Sequence, residues 1–174
     1  SHKTTFYEIF PLLLLQYFII LSTIIQKCTY TRRIIMLINF TIENWMSFKE
    51  KTIFSMIASR ERQHVDKTAY LKKYRLRLLP VAAIFGGNAS GKTNLFKAFN
   101  FAKNFIINGT QPDENILAEP YKLDPHYITK PTYFSFEIYA FNTIYEFNFS
   151  VTNKKVLEEK LIKISSTKEK ILYH

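Results

Sequence analysis

Eight consecutive residues combine glycines with one lysine and one threonine at a spacing that suits phosphate chemistry. Residues 86 to 93 read Gly-Gly-Asn-Ala-Ser-Gly-Lys-Thr, which fits the pattern G-x-x-x-x-G-K-[ST]. Glycines let such a loop turn its backbone N–H groups towards one point, where a polyphosphate is stabilised at the positive end of the following helix. The pattern predicts a binding site for the phosphates of a nucleoside triphosphate.

The side chains of this segment have distinct expected roles. Lys92 is predicted to place its ammonium on the β- and γ-phosphates and is the candidate catalytic residue, while the Thr93 hydroxyl is the candidate Mg²⁺ ligand. The loop therefore predicts a nucleoside triphosphate and Mg²⁺ as cofactors, and the family resemblance described below implies that the nucleotide is ATP. A chance Gly/Ser-rich turn before a helix remains the alternative. The candidate nucleotide-binding residues are Gly86, Gly87, Asn88, Ala89, Ser90, Gly91, Lys92, Thr93 and Asn94.

A strand and a helix must hold such a loop, and the flanking residues predict both. Pro80 to Phe85 form a short continuous apolar run, typical of a buried parallel strand that ends at the loop. Downstream, Asn108-Gly109 supplies a helix stop. Between the loop and this stop, apolar residues recur at helical spacing: Leu95, Phe96, Ala98, Phe99, Ala102, Phe105 and Ile106.

Alternating apolar and polar residues predict two antiparallel hairpins on either side of this unit. In the first, Ile38, Phe40 and Ile42 alternate with polar residues, and 52–56 is the returning strand. In the second, strands over 134–138 and 145–151 are joined by a predicted turn at Asn142-Thr143. Further strands are predicted over 157–164 and 170–173, whereas 108–131, with four prolines, is expected to be an irregular surface connection.

The composition of the chain favours one fold class and excludes some kinds of disulfide and metal site. The chain has 174 residues, of which 47% are hydrophobic, which suffices for one domain with a proper core. Its 16 Phe and 11 Tyr favour β structure beside the helix, so we expect a mixed α/β class. A single cysteine excludes an internal disulfide framework and a thiolate metal cluster. The four histidines are far apart, so no zinc site is predicted.

The chain is strongly basic. Its net charge is +10, from 24 Lys and Arg against 14 Asp and Glu, which favours polyanionic partners. The charge is densest between Arg60 and Arg77. Three interpretations of this stretch stay open: a nucleic-acid contact, a solvated face of a hairpin or helix, and a role beside the phosphates of the nucleotide.

The first 35 residues differ from the rest in composition. Ile9 to Ile25 are nearly all apolar, and a membrane-spanning helix needs about 17 to 25 such residues. A leader upstream of Met36, a docking helix and a membrane anchor are the interpretations considered. We divide the chain into an extension over 1–35 and the folded unit over 36–174, and expect a cytoplasmic protein that does not act at a membrane.

Two segments give the chain a family resemblance. Ile42 to Phe48, Ile-Glu-Asn-Trp-Met-Ser-Phe, looks like the opening of chromosome-maintenance (SMC-like) ATPase heads. Together with Phe85 to Leu95, it is similar to the AAA-15/AAA-21 group of ABC-type bacterial ATPases, which includes the OLD (overcoming lysogenisation defect) proteins and the ATPases of anti-phage modules such as Septu and retrons. The resemblance spans Met36 to His174.

The resemblance implies an ABC/SMC-like P-loop NTPase head, with a central sheet plus antiparallel hairpins. It places Asn88 beside the γ-phosphate and Asn94 near the α-phosphate, although Asn88 is also a common turn residue. Trp45 is a candidate for stacking on adenine, with a core position as the alternative. In such heads ATP draws two copies together, so a homodimeric pair and an effector nuclease or other defence protein are the implied partners.

Two expected elements of a complete ATPase are not found in these 174 residues. No apolar strand ends in an acidic pair that could support Mg²⁺ and activate water, and no Leu-Ser-Gly-Gly-type signature is present. We therefore expect an incomplete N-terminal lobe of an ATPase that binds nucleotide but turns over little by itself. A P-loop kinase or GTPase and a non-catalytic nucleotide- or polyanion-binding module remain the alternatives.

Overall fold

The computed structural model describes residues 35–59, 64–109 and 115–174. Six of the strands form one antiparallel sheet in the order β2-β1-β5-β6-β7-β8, and β3 and β4 form a separate two-stranded sheet. The mixed α/β class is confirmed. The strands are β1 (Met36–Glu43), β2 (Thr52–Ser55), β3 (Ala69–Leu71), β4 (Leu76–Leu78), β5 (Thr132–Ala140), β6 (Thr143–Val151), β7 (Val156–Ile164) and β8 (Glu169–Tyr173), and the helices are α1 (Lys92–Asn108) and α2 (Pro125–Ile128).

The predicted hairpins form, with one change of face in β1. Leu37 pairs with Ile138 and Phe40 with Phe136, and an irregularity between Leu37 and Asn39 interrupts the register. The extra residue turns Ile38 to the opposite face, where it packs in a second apolar cluster rather than beside Phe40. Strict alternation of Ile38 with Phe40 on one face is therefore wrong.

The turn between β5 and β6 lies one residue earlier than predicted. Phe141 and Asn142 both have positive φ, 51° and 60°, and Thr143 already belongs to β6. Two successive left-handed residues match the right-handed twist of the flanking strands, which explains this two-residue connection. The β7–β8 pair and its turn at 165–168 follow the prediction.

Helix α1 covers one face of the large sheet. Ala98 and Ala102 are fully buried, and their small side chains allow the helix to lie close to the strands. Aromatic rings fill the layer between them, with Phe99 stacked on Phe40 at 3.9 Å and Phe105 on Phe149 at 4.5 Å between centroids. The helix ends at Asn108 and Gly109 caps it with φ 66°, as the stop signal predicts.

The predicted strand before the loop does not form. Residues 81–87 do not form a strand, and Val81 and Phe85 are 74% and 90% exposed. A buried parallel strand needs a parallel neighbour, and every strand pair in the described part of the chain is antiparallel. The apolar run therefore has no parallel partner strand among the described residues.

The connection between α1 and β5 is irregular, as predicted, but it is not confined to the surface. Ile116 and Ala118 are buried in the main core, and the N–H of Met46 donates to the carbonyl of Glu119 at 2.7 Å. Trp45 is also a core residue, 2% exposed and packed against Phe101 and Phe134. The core alternative for Trp45 is therefore correct, and stacking on adenine is excluded.

The apolar segment 9–25 and the proposed division at residue 35 involve residues outside the described ranges. Among the described residues, no helix combines the length and the apolar character needed to cross a membrane.

Candidate phosphate-binding site

The loop leads directly into α1 through two left-handed residues. Ala89 has φ 60° and Gly91, the residue before the first helical position, has φ 88°. Left-handed residues next to right-handed ones turn successive N–H groups to the same side and create an anion-binding concavity. The N–H groups of Lys92, Thr93 and Asn94 lie in the first turn, where no helical acceptor is available. This geometry agrees with the predicted phosphate cradle.

Lys92 spans the loop. Its Nζ donates to the carbonyls of Gly86 and Gly87, both at 2.7 Å, and to Ser90 Oγ at 3.2 Å. These acceptors are neutral, and no ion pair joins Lys92 to a carboxylate of the described residues. The ammonium is thus held over the concavity with its charge uncompensated, and it can exchange carbonyl partners for phosphate oxygens.

The helix terminus adds positive potential to the same place. The 17-residue helix α1 has no side-chain cap at Gly91 and no acidic residue in its first turn. Its dipole is therefore not neutralised at the end that adjoins the loop. The donors, the ammonium and the helix terminus are the groups that a triphosphate requires, and Thr93, the predicted Mg²⁺ ligand, is exposed at the second residue of α1.

The turn between β1 and β2 positions this terminus. Trp45 and Phe48 exchange backbone hydrogen bonds at 2.9 and 2.7 Å around a tight turn. From that turn, Ser47 Oγ accepts a bond from the Asn94 amide at 2.9 Å, and Trp45 Nε1 donates to the Asn94 carbonyl at 3.3 Å. The Asn94 side chain is thus engaged by Ser47, so in this arrangement it orients the helix start.

Asn44 fixes the other end of this turn. Asn44 is only 1% exposed. Its side-chain Nδ2 donates to the carbonyls of Tyr127 and Lys130, both at 2.9 Å, and its Oδ1 accepts from the Tyr121 N–H at 3.0 Å. Its φ of 53° is one that asparagine tolerates well. Asn44 and Ser47 lie within the segment that carries the family resemblance, but sequence reasoning gave neither of them a role.

An ion pair and a side-chain hydrogen bond brace the far side of the turn. Lys49 Nζ lies 3.0 Å from Asp124 Oδ2, and the Tyr127 hydroxyl donates to Glu50 Oε1 at 3.0 Å. The hydrogen bond to Asp124 raises the pKa of Lys49, and the same bond lowers the pKa of Asp124. Both side chains are partly exposed to solvent, so this pair contributes orientation more than stability.

The sequence-predicted residues are therefore brought together as a loop and a helix start, with Asn88 and Ala89 in an exposed turn. The described residues contain no cluster of three or more His, Cys, Asp or Glu side chains able to hold a metal ion. Thr93 therefore stays the predicted Mg²⁺ ligand of the loop.

The chain matches the model of one protein family. A family model described as "AAA domain, putative AbiEii toxin, Type IV TA system" matches residues 81–174, more than half of the chain, and its match includes the whole loop. No curated protein and no solved structure matches. AAA domains have a nucleotide-binding, ATPase-like function. On this match and the loop that it includes, the chain belongs to this family of AAA domains.

Proposed function

We propose that the chain binds ATP with Mg²⁺ at residues 86–94 and acts as an ABC/SMC-like ATPase head. The observation that carries the proposal is the placement of the Lys92 ammonium, 2.7 Å from two loop carbonyls and in front of the uncapped start of α1. A triphosphate would replace these neutral acceptors with charged ones, and charge-assisted hydrogen bonds are about twice as strong.

Each side chain has a defined task in this proposal. Lys92 neutralises the β- and γ-phosphates, the backbone N–H groups from Ser90 to Thr93 surround them, and Thr93 supplies one oxygen to Mg²⁺. When bound, Mg²⁺ draws charge from the phosphate oxygens. Because the 174 residues contain no apolar strand ending in an acidic pair, we expect tight binding with little hydrolysis by this chain alone.

Pairing of two heads is the second part of the proposal. Apolar side chains are exposed on both sides of the loop in the chain, Phe85 at 90% and Phe96 at 61%. Exposed apolar surface beside a binding site commonly marks a contact with another protein. ATP that bridges two such surfaces favours the paired state, because only that state completes both sites.

The paired state would control an effector, such as a nuclease or another protein of anti-phage defence. The family description, which names a putative toxin and a type IV TA system, supports a regulatory role of this kind.

Sedimentation velocity tests the pairing. We expect a monomer without nucleotide and a dimer with Mg²⁺ and a slowly hydrolysed ATP analogue, with no shift for Lys92→Ala. Phe85→Ser should bind nucleotide normally but pair more weakly, since it removes apolar contact and leaves the loop donors intact. A chain that binds ATP yet stays monomeric at every concentration would contradict pairing while leaving nucleotide binding in place.

Nucleotide choice and metal use are tested by competition binding. ATP should compete at least tenfold better than GTP, whereas a preference for GTP would favour the GTPase alternative. Thr93→Val keeps the shape of the side chain and removes its oxygen, so it should abolish the Mg²⁺-dependent part of the affinity. An unchanged Mg²⁺ dependence in Thr93→Val would contradict the role of this hydroxyl.

A further inference from the structure

The basic hairpin, residues 69 to 78, is a distinct element with two different faces. β3 and β4 pair in the register Ala69–Leu78, Tyr70–Arg77 and Leu71–Leu76. On the inner face, Leu71 and Leu78 are buried with Ile38 and Ile144 of the large sheet. This apolar contact is sufficient to explain how the hairpin is held, and it involves none of the charged side chains.

Tyr74 fixes the tip of the basic hairpin to the sheet. Its hydroxyl donates to the carbonyl of Ile164 at 3.0 Å and accepts from the N–H of Ile144 at 3.3 Å. The following residue, Arg75, completes the turn with φ 53°. The tip is therefore presented in a defined position.

The outer face carries an aromatic ring beside a row of cations. Tyr70 is 48% exposed, and the guanidinium carbon of Arg77 lies 4.7 Å from the centroid of its ring. Lys72, Lys73 and Arg75 are exposed at the tip. Arg77 also donates to Thr68 Oγ1 at 3.3 Å, which limits the freedom of both the guanidinium and the ring.

The charge of this face is not compensated. Among the described residues, Lys67 pairs with Asp66, whereas none of the four cations from Lys72 to Arg77 forms an ion pair. Four like charges on one short hairpin repel each other, although Lys73 Nζ lies over the Tyr74 ring, 5.1 Å from its centroid. Their arrangement is therefore better explained by an anionic ligand than by the fold.

We propose that the outer face of the basic hairpin binds single-stranded nucleic acid, with Lys72, Lys73 and Arg75 on the phosphates and Tyr70 stacked against a base. Cations in register with an exposed ring suit a strand whose bases are unpaired, because stacking needs a free base face. An acidic protein surface would match the cations but would leave the ring without a specific partner. The proposal does not depend on ATP binding, and Lys92→Ala should leave it unchanged.

Fluorescence anisotropy of the full chain with a labelled oligonucleotide of about 20 thymidines tests this proposal. Neutralising three phosphates predicts a slope of about −2 in a plot of log affinity against log salt concentration. A duplex of the same length should bind several-fold more weakly once corrected for its charge, because it offers no free base. No binding at low salt, or a duplex preferred over the single strand, would overturn the proposal.

Two adjacent lysines in another turn provide a matched control. Lys72→Gln with Lys73→Gln should weaken binding roughly tenfold. Lys154→Gln with Lys155→Gln removes the same charge from the exposed β6–β7 turn and should change binding less than about twofold. Equal losses from the two pairs would show a response to net charge alone and would overturn the assignment to the hairpin.

The ring is tested separately from the charge. Tyr70→Ala should weaken oligonucleotide binding by about fivefold or more, and Tyr70→Phe should retain it, because stacking requires the ring and not its hydroxyl. Circular dichroism checks that each variant is folded. An unchanged affinity in folded Tyr70→Ala, or equal competition by poly-glutamate of matched charge, would favour an acidic protein partner and overturn the proposal.

Discussion

Gly91 lies at φ 88° and ψ 0°, immediately before the first residue of α1. An added Cβ at this position would meet Ser47 Oγ at 3.3 Å and Phe48 Cζ at 3.8 Å. Gly87, in the same loop, has no atom within 4 Å of an added Cβ, and its φ is not in the left-handed region. At the residue scale, an added Cβ would therefore be strained at Gly91 but would be accommodated at Gly87.

Gly91→Ala should lower the free energy of unfolding by about 1 to 2 kcal/mol, the usual cost of a left-handed residue with a Cβ. The same change should weaken ATP binding, because the start of α1 must shift. Urea denaturation and nucleotide titration measure the two effects. Gly87→Ala is the control for stability and should leave the free energy of unfolding nearly unchanged; a comparable loss of stability at the two glycines would contradict the assigned geometry.

Glu137 is a partly buried acidic residue of β5. Its Oε2 accepts from Asn39 Nδ2 at 2.6 Å, and it lies opposite Glu146 on the neighbouring strand. Burial raises the pKa of Glu137 above its ordinary value of 4.5, and Glu146 adds to the rise, although the bond from Asn39 opposes it. The folded chain thus holds this proton more tightly than the unfolded chain does.

A raised pKa in the folded state means that stability is greatest below the ordinary pKa and falls as the pH rises through the folded value. Glu137→Gln cannot ionise and can still accept the bond from Asn39. We therefore expect its free energy of unfolding to fall less than that of the wild type between pH 4.5 and neutrality. Glu169→Gln, at an exposed site, is the control for the loss of one carboxylate. Parallel profiles for Glu137→Gln and the wild type would contradict this account.

At the scale of elements, the turn between β1 and β2 joins three parts of the fold. Ser47 contacts the start of α1, and Asn44 contacts the connection that precedes β5. The amide of Asn44 supplies both donors and an acceptor within a buried site, a combination that a carboxylate cannot reproduce. The position of the phosphate loop thus depends on a turn that is distant from it in sequence.

Asn44→Asp preserves size but places a carboxylate against two carbonyl oxygens. We expect a loss of about 3 kcal/mol in the free energy of unfolding, because the N–H donors are lost and a charge is buried. Chemical denaturation at neutral pH measures the loss. Asn153→Asp, at an exposed turn, should cost less than about 0.5 kcal/mol. A similar small effect at both asparagines would contradict the bracing role of Asn44.

At the scale of the whole molecule, sequence patterns predict pairs of neighbouring strands better than they predict distant partners. Alternation is a local property, so the hairpins and the helix over 92–108 were predictable. The apolar run before the loop was wrongly predicted as a strand, because composition cannot reveal whether a parallel neighbour is present. The change of face at Ile38 depends on a bulge that leaves no signal in the residue types.

The residues of the candidate site were proposed from the sequence and their role in binding stays a prediction, whereas the residues that support the loop were not proposed. The glycines, Lys92 and Thr93 were identified from spacing alone, and the structure adds the left-handed backbone that spacing implies. The contacts from Ser47 and Asn44 were not predictable, because they join segments that are far apart in the chain. In the sequence alone, small polar residues such as these indicate only a turn.

Isothermal titration calorimetry of Mg²⁺-ATP into the chain measures nucleotide binding at residues 86–94. We predict one binding site in the wild type, an affinity at least about 100-fold weaker in Lys92→Ala, and no change in Lys97→Ala, an exposed lysine on the same helix. Equal affinities for all three folded proteins, or no heat of binding in the wild type, would contradict the assignment of residues 86–94 as the nucleotide site.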